Sequence, residues 1–209
     1  MSDAARIGAA EALELLKEGN RRFAAGEWSG AALADETRRA TLVGGQTPRA
    51  IILGCSDSRV PAEIVFGQGL GDLFVIRVAG NVVAPSLVGS VEFAAEAFGT
   101  RLVVVLGHSD CGAMKATLDA LERPDETHSR NLRSIVDRIR PSFRSLMSTE
   151  LRRDREALLR EAGRANVRAS VDHLRHGSEI LERLIAEDGL VIVGAEYSLA
   201  TGLVDFFES

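Results

Sequence analysis

The chain has 209 residues, 45% of them hydrophobic and 26% charged, with a formal net charge of −5. That is the profile of a soluble globular protein long enough to bury a sizeable core, and the acidic balance with scattered Lys and Arg argues against nucleic acid as a partner. No apolar run approaches the roughly 20 residues of a membrane-spanning helix, and the Glu-bearing N-terminus has neither the layout of a secretory signal nor that of a transit peptide.

A cytoplasmic location without a membrane partner is therefore expected. The 2 cysteines of the chain then read as metal ligands or catalytic thiols, because a reducing compartment disfavours structural disulfides.

In chain order, residues 9 to 25 place Ala12, Leu13, Leu15, Leu16 and Phe23 at helical spacing, with Gly26 as the stop. A polar, glycine-rich stretch ending in "GGQTPR" leads to "AIILG" (50 to 54). "LFVIRVAG" (73 to 80), "RLVVVLGH" (101 to 108) and "LVIVGAEY" (190 to 197) are similar short runs rich in branched residues. Apolar runs without alternation predict strands covered on both faces. Between the second and third runs "SLVGSVEFAAEAFG" predicts a helix ending at Gly99; after the third, "CGAMKATLDALERP" predicts another, stopped by Pro124. Asn131 to Glu187 is helical in composition, with interruptions expected at Pro141 and Gly163, and "GLVDFF" would add a short edge strand or a partner contact. Strands alternating with helices imply parallel pairing and right-handed crossovers. The expected organisation is a single α/β domain over 1–209: an N-terminal helical arm over 1–45, then a core over 46–209 with a helical insertion at about 131–187.

Ligand sites in open α/β sheets lie beyond the carboxyl ends of strands, at a topological switch point. Cys55 follows the first predicted strand, His108 ends the third, and Cys111 opens the helix after it. Two thiolates and an imidazole form a set that prefers zinc, and three protein ligands leave a tetrahedral ion one open position, as in catalytic zinc. At a helix start, Cys111 would have its thiolate favoured by the helix dipole. Asp57 and Arg59 stand beside Cys55, where the guanidinium fork can pair with the carboxylate; the plainer reading is a local turn salt bridge. His173 and His176 on a predicted helix, and His128 in a polar loop, read as surface histidines. "GQGLG" (67 to 71) lacks the spacing of a phosphate-binding loop and precedes a strand, so it reads as a turn.

"CSDSR" followed at this separation by "GHSDCGA" resembles the β-class carbonic anhydrases. The resemblance runs from about Leu15 to Phe207, with "EGNRRFAAGE" similar to that family's first helix and "GLGDLFVIRVAGN" to its second strand and following loop. It implies an α/β fold with a central, mainly parallel sheet of four to five strands flanked by helices. It also implies one Zn(2+) per subunit on Cys55, His108 and Cys111, with Asp57 and Arg59 as a catalytic dyad. Asp57 would rest on Arg59 in an open form and become the fourth zinc ligand in a closed one.

The implied reaction is reversible hydration of carbon dioxide to bicarbonate and a proton by zinc-bound hydroxide. Two thiolates leave such a site less acidifying than an all-histidine one, which brings bound water to a pKa of about 7, so an acceptor such as Asp57 would help. No histidine is assignable as a proton shuttle. Gln68 would reach across a dimer interface to substrate, or be a turn glutamine; Phe93 would line the same pocket, or be a core residue; Gly112 would offer a backbone N–H. A homodimer or dimer of dimers is implied. Bicarbonate-inhibited members carry a tryptophan three residues before the first cysteine, with an arginine and a tyrosine. Here Arg77 and Tyr197 have Ile52 in the tryptophan's place, so no such regulatory site is expected.

Alternatives share some of these features. A carbonyl sulfide or carbon disulfide hydrolase would keep fold and metal and differ in its access tunnel. A non-catalytic zinc staple is disfavoured because a chain of this size needs none. A Cys55–Cys111 redox pair would leave His108 and Arg59 without a role, and C-x-x-C is absent.

Overall fold

A computed structural model describes residues 7–27, 35–123 and 129–207. The strands expected at the four apolar runs form β1 (Ala50–Gly54), β2 (Leu73–Arg77), β3 (Leu102–His108) and β4 (Val191–Tyr197), and the tail supplies β5 (Val204–Phe207). They make one five-stranded sheet in the order β2-β1-β3-β4-β5. The first four are mutually parallel and β5 is antiparallel to β4. Every residue of β1 and β3, two of the three inner strands, is buried, as unalternating apolar runs require. The second run is shorter than its composition suggests: β2 stops at Arg77, and the chain turns through a 3-10 segment, Ala79–Asn81, with Gly80 at φ 73°.

Among the described residues the helices are α1 (Ala9–Ala24), α2 (Glu36–Thr41), α3 (Ala62–Val65), α4 (Pro85–Ala97), α5 (Gly112–Glu122), α6 (Arg130–Ile139), α7 (Pro141–Arg144), α8 (Arg155–His176) and α9 (Glu179–Glu187). The period of two along a strand divides the core. Ile51, Leu53, Val103, Val105 and Ile192 face α4, α8 and α9, whereas Ala50, Ile52, Leu102, Val104 and Leu106 face α1 and α3.

Helix α1 buries Ala9, Ala12, Leu16 and Asn20, a stripe at helical spacing. That stripe packs into this chain's own core with Phe66 and Val104. The approach is close: a Cβ on Gly19 would lie 1.8 Å from the Phe66 carbonyl oxygen. Asn20 then joins three segments, its amide donating to the carbonyls of Val65 (3.1 Å) and Gly202 (2.8 Å) while its Oδ1 accepts from the Val204 N–H at 2.8 Å.

The helical stretch breaks at Pro141, as expected, but not at Gly163. Helix α8 runs unbroken for 22 residues through that glycine. A mid-helix glycine costs about 1 kcal/mol relative to alanine, and two effects outweigh it. Asp154 caps the helix by accepting from the N–H groups of Glu156 and Ala157, and Leu158, Ala162, Val167, Val171 and Leu174 bury its inner face.

Val167 seats where two strands lack side chains: a Cβ on Gly107 would be 2.6 Å from its Cγ2, and one on Gly194 would be 3.0 Å from its Cγ1. Glycine notches near the end of β3 and at the middle of β4 thus draw α8 against the sheet. Pro124 and His128 lie outside the described residues. No helix among the described residues is long and apolar enough to cross a membrane.

Candidate metal centre

Strands β1 and β3 are parallel neighbours, with Gly54 in register with Leu106. The chain leaves β1 toward β2 on one side and β3 toward β4 on the other, so their carboxyl ends border the switch point. Cys55 follows β1, His108 ends β3, and Cys111 is the N-cap of α5. All three are buried, and their donor atoms lie within 4.8 Å of one another.

The donor set fits zinc. Two sulfurs at about 2.3 Å from one tetrahedral ion stand about 3.8 Å apart; the Cys55 and Cys111 sulfurs are 4.0 Å apart. The His108 Nδ1 lies 2.9 Å from the Ser109 carbonyl oxygen, which assigns the proton to Nδ1 in the neutral ring. Nε2 is then left bare, buried and without a hydrogen-bond partner, the form in which histidine ligates metal. Ser109 is itself anchored to the end of β4, its N–H donating to the Tyr197 carbonyl and its Oγ accepting from the Leu199 N–H, both at 2.9 Å.

The electrostatics depart from expectation at Cys111. The N–H groups of Ala113 and Met114 at the start of α5 do favour its thiolate, but the hydrogen bond to Cys55 and burial outweigh them and push the Cys111 thiol up. Cys55 moves the other way: the hydrogen bond from Cys111 holds it down to about 4, assisted by His108 and the Gly80 N–H. The two sulfurs thus share one proton. Burial pulls His108 down, yet the adjacent Cys55 thiolate raises it overall, so metal binding at this trio competes with protons.

Asp57 and Arg59 form the pair expected of them. Arg59 donates from Nε to Asp57 Oδ1 at 2.9 Å, from Nη2 to Oδ2 at 2.7 Å, and from its backbone N–H to Oδ1 at 2.9 Å. Those hydrogen bonds hold the Asp57 carboxyl well below the ordinary carboxylate range. Asp57 Oδ2 stands 3.9 Å from His108 Nε2, beside the trio and engaged with Arg59.

Three neighbours of the centre were not assigned such places from sequence. Asp110, at φ 58°, accepts from Arg59 Nη1 at 3.4 Å and, through its carbonyl, from Nη2 at 3.3 Å, and it pairs with Lys115. Arg77 donates to the backbone carbonyls of Cys55 (3.0 Å) and Asp57 (2.6 Å), clamping the segment that carries both. The Gly80 N–H points at the Cys55 sulfur at 3.3 Å. In the sequence the only signals were the types themselves: an acidic residue between His108 and Cys111, an arginine at a strand end, and a glycine in a turn.

The three residues predicted to bind substrate lie in three separate segments of the chain, Gly112 being the one next to a donor residue. Gly112 opens α5 next to Cys111, with no atom within 4 Å of where its Cβ would stand. Gln68 is buried after α3, its amide donating to the Phe66 carbonyl at 3.0 Å. Phe93 is not a core residue: it is 56% exposed, its ring 6.2 Å from Phe74 and 5.6 Å from Phe98. Ile52 is fully buried and Tyr197 packs in the same cluster. His173 and His176 end α8, with His176 Nδ1 3.1 Å from Asp172 Oδ1 on the surface. His108 and Cys111 line a cleft of about 950 Å³, bounded also by Met114, Leu159, Leu203 and Val204.

Fold and site together define an α/β protein with three side chains that could hold a metal ion at the switch point of its sheet. Comparison with known proteins agrees. The family model for carbonic anhydrase matches residues 50–204. A carbonic anhydrase from Mycolicibacterium smegmatis is 42% identical over 194 residues, spanning 93% of this chain and 91% of the relative. Carbonic anhydrase 2 of Mycobacterium tuberculosis is 42% identical over 192 residues, spanning 91% and 89%. Among solved structures, one of two tetrameric beta-carbonic anhydrases from Sordaria macrospora superposes with a TM-score of 0.73 at 26% identity, over 82% of this chain and 86% of that one. The b-carbonic anhydrase CafA of Aspergillus fumigatus gives 0.73 at 25% identity, over 95% and 89%. The chain belongs to the carbonic anhydrase family, in its β class.

Proposed function

We propose that this protein catalyses the reversible hydration of carbon dioxide to bicarbonate and a proton, using one zinc ion per subunit held by Cys55, His108 and Cys111. The observation that carries the reading is the convergence of two thiols and an unpartnered imidazole Nε2 within 4.8 Å of one another. Zinc bound there supplies a water acidified enough to be a nucleophile near neutral pH.

The chain's own residues do the rest. Arg59 keeps Asp57 ionised and turned toward itself, so the carboxylate stands beside the centre as a hydrogen-bond acceptor that orients the nucleophile. Were Arg59 to release it, Asp57 would be free to hold the metal as a fourth ligand. The cleft beside His108 and Cys111 carries Met114 and Leu159 together with Asp110, Lys115, Arg155 and Glu196 on its wall, whereas Asp57 and Arg59 do not line it. Among the described residues no second histidine lines that cleft, and buffer and a water chain are the two routes open to the proton.

Substrate binding is assigned to the Gly112 N–H within the chain, and to Gln68 and Phe93 from a partner subunit. The exposed Phe93 ring is consistent with a surface that another copy covers. A homodimer or dimer of dimers follows, supported by the tetrameric relative from Sordaria macrospora. The proposed unit is one domain over 1–209, acting in the cytoplasm.

Zinc quantification beside a carbon dioxide hydration assay tests the reading. Wild type should hold one zinc per chain and be active; Asp57→Ala should keep the metal and lose most activity; Cys111→Ser should lose both. Full zinc occupancy in Cys111→Ser, or an active zinc-free wild type, overturns it.

A further inference from the structure

Resting on the zinc reading above, we propose that Asn166 and Ser170 of α8 are positioning residues for the metal centre: they hold the Gly80–Asn81 turn so that the Gly80 N–H bonds the Cys55 sulfur.

The turn needs holding. Gly80 (φ 73°) and Asn81 (φ 44°) are consecutive residues in the left-handed region, which glycine adopts freely and asparagine more readily than other side-chain-bearing residues, so two in succession make a sharp turn. The Asn81 Nδ2 is also buried without a hydrogen-bond partner. Two bonds from α8 offset this. Asn166 Nδ2 donates to the Gly80 carbonyl at 2.8 Å, and Ser170 Oγ donates to the Asn81 carbonyl at 3.1 Å. Both side chains are buried, and they stand one helical turn apart on one face. On the other side, a Cβ on Gly80 would meet Ile139 Cδ1 at 2.6 Å and Ala113 Cβ at 3.0 Å, so the turn cannot retreat. Asn166 reaches it because its neighbour Val167 sits in the notches of Gly107 and Gly194.

The fixed turn aims the Gly80 N–H at Cys55 Sγ, 3.3 Å away. Two thiolates cancel the formal charge of a zinc ion, which weakens its power to acidify water. A backbone N–H on one sulfur draws charge back from the metal and restores part of that power, as groups that bond metal ligands do. The helical insertion thereby acts on the chemistry of a cysteine more than a hundred residues earlier in the chain.

Cobalt(II) substituted for zinc tests this through its sulfur-to-metal charge-transfer band. Asn166→Leu, which keeps bulk but has no donor, and Ser170→Ala should each move the band to lower energy as the sulfur becomes more electron-rich. Each should weaken zinc binding about tenfold or more, the usual range for partners of ligands being 10–100-fold. Ser170→Thr, which keeps the hydroxyl, should stay close to wild type. A merely structural role would lower the melting temperature and leave the band in place; that result in folded variants overturns the proposal. If Asn166→Leu does not fold, the Ser170→Ala and Ser170→Thr pair decides alone. A wild type without cobalt binding or a sulfur-to-metal band sinks the zinc reading and this inference with it, whereas a wild-type band that no variant moves sinks this inference only.

Discussion

Arg59 meets Asp57 as a fork on a carboxylate, with Nε to Oδ1 at 2.9 Å and Nη2 to Oδ2 at 2.7 Å. Asp110 holds the far side of the same guanidinium, so Arg59 stays in place even when Asp57 is free to move. Arg59→Ala should therefore keep zinc and lose activity by about 10²-fold, the scale of a misplaced reacting group. Arg59→Lys should recover little, since a single ammonium cannot reproduce two parallel bonds. Hydration rates measured beside zinc content check both.

The same pair sets a pH dependence of stability. The Asp57 carboxyl is depressed by Arg59, so its contribution is full above the unfolded value of about 3.9 and is lost as pH falls toward the lower folded value. Denaturant unfolding of metal-free wild type and Arg59→Ala should show a stability gap that is constant above about pH 5 and narrows in stronger acid. A gap that widens with acid contradicts the pairing.

Metal removal should leave the fold standing. The two clusters on the faces of the sheet include none of Cys55, His108 and Cys111; both cysteines belong to a third cluster with Met114, Leu118, Ile139 and Phe143, so loss of an ion acts there and leaves the core on the sheet in place. Chelation should abolish activity with little change in circular dichroism, and added zinc should restore it. Unfolding on chelation would mark the metal as a structural staple.

Gly107→Ala should destabilise the protein by about 1–3 kcal/mol, the usual cost of overpacking, because its Cβ would stand 2.6 Å from Val167 Cγ2. Adding Val167→Ala should recover part of that loss, and a double-mutant cycle in urea measures the coupling. Independent, additive effects would show that the notch does not set the position of α8.

Arg77 clamps the carbonyls of Cys55 and Asp57. Arg77→Ala should lower both activity and zinc retention, and wild type should show no regulatory bicarbonate inhibition, because Ile52 is fully buried and has nothing to donate. Strong bicarbonate inhibition abolished by Arg77→Ala would reverse that expectation.

The succession of strands along the chain, their parallel pairing and the rim that carries the donors were legible because apolar runs, glycine stops and residue types are local properties; the order β2-β1-β3-β4-β5 within the sheet was not. Cys55, His108 and Cys111 could be named together because each sits at the end of a strand or the start of a helix, where the fold class itself puts ligands. Gly163 was misjudged: the intrinsic preference of one residue is a weak prior, and the capping and burial that overrode it come from elsewhere in the chain. Asn20 and Gly19 in "EGNRRF" matched a family pattern, but their reason, a close approach to Phe66 and bonds to Val65, Gly202 and Val204, is spread across 184 positions.

By itself, then, the sequence determined which chemistry this protein can hold and at which edge of a sheet, because donor type and hydrophobic period are written residue by residue. Only the tertiary structure decided that Arg59 lies between Asp57 and Asp110, that Arg77 grips the loop behind them, and that α8 reaches the turn beside the sulfur. Those outcomes depend on distances between segments remote in the chain, and packing sets them after each element has formed.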